Sequence, residues 1–267
     1  MPELAELKLT ADFVNKVSKG KVFHSTWKNP VHKGKGILIS FPFEIEAKSR
    51  GKELMLEIST TKDFATAENF GCLHLMMTMG MAGHFQWRNL EEERPKHTHL
   101  SFICDSGELC FVDVRRFGRW NFGFWNPTRS PDPTSDFSSF KKKILDSLHL
   151  RAFNKPINEV LMNQDFFNGI GNYLRAEILY RLDQNPFESA RRVIQKTPEV
   201  LDLCRDVPDT AYKLGGGRIR DWKNPEGEVQ PDSWESFMLC YGRKGMEKIT
   251  DSNGRTFWFD PKWKNNL

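Results

Sequence analysis

The amino-acid sequence predicts an α+β fold, antiparallel β-structure over residues 1–125 and helices ending in a hairpin beyond them. Three observations carry that prediction. In the first part, apolar residues alternate with a period of two in short, closely spaced runs with no helix between them. After residue 136 the period becomes helical. Between the two parts lies NPTRSPDPTSD, residues 126–136, dense in Pro, Ser and Asp, which reads as a linker. The division is therefore 1–125, a linker at 126–136, a helical domain at 137–240, and a terminal segment at 241–267.

A helix near residues 3–17 precedes the strands. Residues 37–47 (ILISFPFEIEA) alternate in part, and Pro42, which has no N–H for a ladder, argues for an edge. Leu54, Leu56 and Ile58 alternate strictly. Runs at 100–104 and 109–114 flank the turn cluster Asp105, Ser106, Gly107, and Trp120, Phe122 and Phe124 alternate again. Strands of this kind build an antiparallel sandwich or barrel. In the second part Phe140, Ile144, Leu145 and Leu148 have helical spacing. Pro156 opens a helix running to about Asp165. FFNGIGN follows, and then residues 173–182, with Leu174, Ile178 and Leu182 on one stripe. Helical signals continue to about Leu214 and return over 232–240. In 248–259, Ser252, Asn253 and Gly254 separate two strand-like runs, which gives a hairpin.

With 267 residues, 39% of them hydrophobic, the chain can bury a core without disulfides. Its 21 Phe and 8 Trp exclude a disordered chain. No run of apolar residues is long enough to span a membrane. The start, MPELAELKL, carries two carboxylates and does not resemble a secretory signal, so an intracellular site is expected. The cysteines (Cys72, Cys104, Cys110, Cys204 and Cys240) are odd in number, and no two have CxxC spacing. A disulfide framework and a CxxC zinc site are not suggested, and a reducing compartment is.

The net charge of +4 says little, but its distribution says more. Residues 16–35 hold six lysines and no acid. Arg115, Arg116 and Arg119 surround Phe117, residues 141–143 are all lysine, and Arg218 and Arg220 follow three glycines. Local basic clusters suit a polyanion on one face, although any single cluster also reads as solvated surface.

Several residues have chemistry to offer. Residue two is small, so Met1 is expected to be removed, leaving Pro2 with a free secondary amine. An α-amino group titrates near a pKa of roughly 8, low enough to attack a sugar carbon and form an iminium. Glu3 beside it suits a general acid or base. Lys52, in RGKEL, suits a phosphate ligand or proton donor, or else guards a strand edge. In FNGIGN, Gly169 and Gly171 allow backbone approach to a phosphate, Asn168 and Asn172 supply amides, and the next helix aims its N-terminus at the anion. An ordinary helix connection is the alternative. Met81, Arg115 and Phe117, on predicted loops, suit filling the hole left by an extruded base, with core packing the alternative for Met81 and Phe117.

Taken together, MPE with Glu6, RGKEL, GMAGHF, KHTHL, VDVRRFGRW, LMNQDFFNGIGNYLRAEILYR, CYGRKG and GRTFWF lie in order over residues 1–259. This constellation resembles the Fpg/Nei family of DNA glycosylases, and most of all its Nei-like 1 branch. The resemblance implies an N-terminal β-sandwich, a helical domain with a helix-two-turns-helix, and DNA in the cleft between them. It implies a bifunctional enzyme that excises oxidised bases and cuts the abasic strand by β,δ-elimination. By that resemblance Pro2 is the nucleophile, Glu3 the proton donor and Lys52 the β-sandwich lysine. His97, Asn172, Arg255 and Glu6 are DNA-binding, and Met81, Arg115 and Phe117 fill the void. Gly216, Gly217 and Arg218, in GGGRIR, fall where the branch has a lesion-recognition loop.

Most of the family carries a four-cysteine zinc finger, but no cysteine or histidine follows Cys240 here. The Nei-like 1 branch instead has a zincless finger, whose arginine Arg255 matches, so no metal and no cofactor are implied. Two departures stand out: PELAEL where the branch has PEGPEL, and Thr78 where some relatives carry His. Damaged double-stranded DNA is the implied partner, with single-stranded and bubble DNA as further ones, for a monomer. The expected lesions are oxidised pyrimidines, formamidopyrimidines and hydantoins. Two other readings are a DNA-binding protein that kept the fold and lost the chemistry, and an Fpg of the 8-oxoguanine type.

Overall fold

The computed structural model describes residues 2–61, 71–217, 224–226 and 231–266. The chain opens with α1 (Leu4–Ser18), followed by β1 (Phe23–Lys28), β2 (Phe43–Arg50), β3 (Glu53–Thr60), β4 (Cys72–Thr78), β5 (His84–Arg88), β6 (Thr98–Cys104), β7 (Gly107–Val112) and β8 (Arg119–Phe122). These eight strands pair antiparallel in the order β5-β7-β6-β1-β2-β3-β4-β8. β1 meets β2 through the single residue pair Phe23↔Phe43, so the sheet consists of two four-stranded halves hinged at that corner. Alternation dictates which side chains meet inside. Leu54, Leu56, Ile58 and Leu75 from one half share a core with Phe85, Leu100, Phe102 and Phe111 from the other.

Two expectations need correction here. The strand expected over 37–47 begins at Phe43, and β2 sits inside the sheet order, not at an edge. Pro42 stands just before the first ladder residue, where its missing N–H costs nothing. Of the alternating trio, Trp120 is buried but Phe124 is 77% exposed, because β8 ends at Phe122.

The second part contains α2 (Phe137–Ser147), a 3-10 turn (Arg151–Asn154), α3 (Ile157–Val160), α4 (Asn172–Leu182), α5 (Ala190–Lys196), α6 (Glu199–Lys213) and α7 (Pro231–Phe237). A hairpin of β9 (Glu247–Thr250) and β10 (Thr256–Phe259) closes it. α3 is far shorter than the helix expected from Pro156 to about Asp165. Beyond it the Asn163 side-chain oxygen accepts from Asp165 N at 3.0 Å, offering the backbone a turn in place of another helical bond.

α1 ties the two parts together. Leu4 and Ala5 pack in the core of the helical part, while Leu7, Ala11, Phe13 and Val14 pack in that of the β part. Leu-Ala in place of Gly-Pro therefore supplies an anchor, and α1 begins at Leu4 itself. The segment 126–136 is seated, not loose. Asp132 Oδ2 accepts Gly51 N at 2.7 Å, and the buried Asn168 amide donates to Arg50 O and Ser130 O at 3.2 and 3.1 Å. Among the described residues no helix is long and apolar enough to cross a membrane.

Candidate active site

α4 starts without a capping side chain, because its N-cap is Gly171. Its first N–H groups are satisfied from the far end of the chain. The Glu3 carboxylate accepts Tyr173 N at 3.1 Å and Leu174 N at 3.2 Å. An anion at a helix N-terminus is favourable, and here the anion is a side chain of the protein itself. FNGIGN therefore does not offer these N–H groups to a phosphate as the sequence suggested. Asn168 is likewise consumed, in the contacts with Arg50 and Ser130.

Lys52 faces Glu3. A Cβ on Gly171 would come within 2.1 Å of the Glu3 carboxyl carbon and 2.4 Å of Lys52 Nζ, so only glycine lets both groups lie against this turn. Lys52 Nζ also donates to Ile170 O at 3.3 Å. Burial raises the pKa of Glu3, and Lys52 and the two helix N–H groups pull it only part of the way back. Burial lowers the pKa of Lys52, with Glu3 opposing and Arg255 reinforcing. The pair thus holds a carboxyl inclined to keep its proton beside an amine inclined to lose one.

Two clefts meet at Lys52. One, of about 840 Å³, is walled by Glu3, Met81, Asn172, Tyr173, Tyr241 and Arg255, among others. The other, of about 540 Å³, is walled by Pro2, Thr78, Asn126, Arg129, Gln164 and Arg255, among others. Pro2 is buried and lines the second cleft, as Glu3 lines the first. Polar groups, a basic rim and the perturbed Glu3–Lys52 pair converge in one place, which suits acid–base and nucleophilic chemistry on an anionic substrate.

The hairpin brings Arg255 to this place. Asp251 Oδ1 accepts Asn253 N and Arg255 N at 3.0 and 2.9 Å, shaping the turn. Its Oδ2 takes Nη1 of the fully buried Arg175 on α4 at 2.7 Å. Glu177, also on α4, gathers Leu239 N, Cys240 N and Tyr241 N at 2.8 to 2.9 Å. Phe187 packs on Phe257 and Phe259 with centroids 6.2 and 5.1 Å away. Ion pairing and aromatic packing therefore hold the hairpin on α4. Burial pushes the Cys240 thiol up to about 12, the opposite of what a thiolate ligand needs. Asn172 closes the join, with Nδ2 donating to Thr256 O at 2.7 Å and Oδ1 accepting from Arg175.

Met81, Arg115 and Phe117 come from two touching loops. Gly80 has φ +61, and a Cβ there would lie 2.9 Å from Phe117 Cβ. Asp113, fully buried, accepts Arg115 N at 3.1 Å and Gly118 N at 2.7 Å and so fixes the second loop. Arg115 stacks over the Phe117 ring at 5.1 Å, and both are exposed. His97 lies on the β5–β6 connection at φ 67, its carbonyl accepting Asp113 N at 3.0 Å, outside the residues lining the two clefts.

Glu6, expected to be DNA-binding, is fully buried and accepts Glu3 N at 2.8 Å, Tyr173 OH at 2.9 Å and Gly217 N at 2.8 Å. Gly216 continues the cap of α6, while Arg218 lies outside the described residues. Tyr173 and Arg129 are site residues that sequence reasoning missed, and Gly171, expected to approach a phosphate, lies against Glu3 and Lys52 instead. Tyr173 and Gly171 matter through contacts with residues near position 3, far away in sequence.

Residues 1–120 match the formamidopyrimidine-DNA glycosylase N-terminal domain family, and residues 233–262 match the family described as Endonuclease VIII-like 1, DNA bind. The chain is 38% identical to Endonuclease 8-like 1 of Homo sapiens over 97% of its own length and 72% of the relative's. The Mus musculus protein of the same name gives the same figures. Among solved structures, Fpg (MutM) of Lactococcus lactis in complex with DNA containing an oxidized pyrimidine aligns at TM-score 0.78 and 23% identity, covering 98% of this chain and 99% of that one. That likeness shows the fold.

Proposed function

The chain belongs to the Fpg/Nei family of DNA glycosylases, which act on damaged bases in base excision repair, and from that premise we propose that it is bifunctional, using Pro2 as nucleophile and Glu3 as proton donor. The observation that carries this reading is the Glu3 carboxyl, buried and inclined to hold its proton, set against Lys52 with Pro2 in the wall of the adjoining cleft. Cleavage of the Met1–Pro2 bond frees the amine. It attacks C1′ of an everted nucleotide while Glu3 protonates the deoxyribose ring oxygen, the ring opens, and the base leaves. The iminium acidifies the C2′ proton. Its removal breaks the C3′–O bond and releases the 3′ phosphate, and a second elimination breaks the C5′–O bond.

Lys52, Asn172, Arg255 and His97 hold phosphates, supplying salt-dependent affinity, not base discrimination. Met81, Arg115 and Phe117 fill the space left by the base. Substrates are oxidised pyrimidines, formamidopyrimidines and hydantoins, in duplex and also in single-stranded or bubble DNA. The protein works as a monomer, inside the cell where DNA is repaired, and needs no cofactor because the electron sink is made from the amine and the sugar. A duplex carrying 5-hydroxyuracil in an end-labelled strand tests this. The expected product is a one-nucleoside gap with phosphate on both ends. Release of the base leaving an unbroken abasic strand contradicts the lyase half, and an intact base contradicts the whole.

A further inference from the structure

Glu6 stands at a junction that the proton-donor chemistry does not use. Its carboxylate takes one donor from each of three separate parts of the chain: Glu3 N on the N-terminal arm, Tyr173 OH on α4, and Gly217 N just beyond α6. A carboxylate has about four lone-pair positions, so three donors nearly saturate it. Gly217 N is the first N–H past α6 that is free to leave the helix. Gly215 N and Gly216 N turn back to Tyr212 O and Ala211 O at 2.9 and 2.8 Å. Asn224 Nδ2 donates to Gly215 O at 2.8 Å.

On the other side, Glu3 N belongs to the planar peptide that joins Pro2 to Glu3, so whatever orients this N–H orients the Pro2 ring. The Glu3 carboxylate is held independently, by the main chain of α4. Leu4 and Ala5, fully packed on either side, leave the first turn of α1 little room to absorb a displacement.

We propose that Glu6 is a positioning residue that ties residues 215–217 to the Pro2–Glu3 peptide and through that link sets the placement of the Pro2 nitrogen. The proposal rests on the reading of Pro2 as nucleophile. It separates two functions of the arm: Glu6 acts on the amine, and α4 acts on the proton donor.

The test measures how fast borohydride traps the enzyme on a duplex with a preformed abasic site, where no base remains to be recognised and Glu3 is not required to release one. Gly217→Pro removes the N–H, whereas Gly217→Ala keeps it. Losing one hydrogen bond to a buried carboxylate slows trapping by roughly tenfold. Gly217→Pro is expected to show that loss at an unchanged half-saturating DNA concentration, with Gly217→Ala within about twofold of wild type. Glu6→Gln falls at least as far, and adding Gly217→Pro to it costs nothing further, as expected for two ends of one link. If Gly217→Pro does not fold, Tyr173→Phe removes a second donor to the same oxygen and carries the same expectation. The proposal is overturned if Gly217→Pro slows only base excision while trapping stays at the wild-type rate, or if Gly217→Ala falls equally. Absence of any adduct with wild-type enzyme is a different failure, that of the Pro2 reading itself.

Discussion

Glu3 in the cleft and Glu108 on β7 expose almost no surface, 3% and 2%, but Glu3 lies much deeper under the protein, and their surroundings push them in opposite directions. Burial raises both. At Glu108 the hydrogen bonds and charges of Arg94 and Arg88 outweigh it and bring the pKa down to about 2. Arg94 binds in a fork, Nε to Oε2 at 2.9 Å and Nη2 to Oε1 at 2.8 Å, and lies 4.0 Å over the Trp27 ring. At Glu3 the largest opposing charge is that of Lys52, itself disfavoured as an ion by burial, and the pKa stays raised. Two guanidinium groups make a permanent anion that locks β5 to β7. One reluctant lysine and two helix N–H groups leave a carboxyl whose pKa stays raised. Burial alone does not mark a catalytic acid; what matters is whether the surroundings compensate the charge.

The largest expected contrast comes from the same substitution at both positions. Glu3→Gln lowers base excision by about 10²- to 10⁴-fold while the protein melts close to wild type and keeps part of its activity on abasic DNA. Glu108→Gln does the reverse. It leaves two partly buried guanidinium groups short of their anion and costs about 3 kcal/mol in denaturant unfolding, with turnover per folded molecule unchanged. Loss of activity on folded Glu108→Gln protein would break the distinction.

A pH titration sharpens it. The folded pKa of Glu108 lies below its ordinary value of 4.5, so its contribution to stability is present above 4.5 and disappears as pH falls toward about 2. Glu3 is displaced upward, so its proton-donating activity is full at lower pH and declines as pH rises through the raised value. Stability should therefore fall only on the acid side, whereas excision falls on the alkaline side as Glu3 loses its proton and on the acid side as the Pro2 amine gains one.

Arg255 tests the cleft without touching either carboxyl. If the exposed Arg255 holds a phosphate as proposed, Arg255→Ala weakens DNA binding for all sequences and reduces the slope of log affinity against log salt by about 1. The smallest effect on folding is expected at Phe117, which is 51% exposed. Phe117→Ala changes stability by less than about 0.5 kcal/mol and slows excision from duplex but not from single-stranded DNA, where no void opens.

The sequence made the architecture legible where a period was strong. Leu54, Leu56 and Ile58 lie in β3, and Leu174, Ile178 and Leu182 lie on the buried stripe of α4. β4 escaped because CLHLMMT carries no clean alternation: Cys72 and Leu73 are both exposed. Pro2, Glu3 and Lys52 stood out because short motifs name them, and the structure gathers them around one junction. The contacts that hold them were illegible for a physical reason. Glu3 caps a helix 170 residues away, and Glu6 reaches Gly217 across 211. No local pattern announces such a bond. A carboxylate matched to a motif shows none of its internal donors in the sequence, and those of Glu6 come from residues 3, 173 and 217.

The central claim is that the Pro2 nitrogen, not Lys52 Nζ, forms the bond to the sugar. Lys52 is the natural rival, since burial favours its neutral form. Borohydride-trapped enzyme, digested and mapped by mass spectrometry, decides between them. The account predicts the sugar remnant on the N-terminal peptide, at the Pro2 nitrogen. A remnant carried by the peptide containing Lys52, with the N-terminal peptide unmodified, would contradict it.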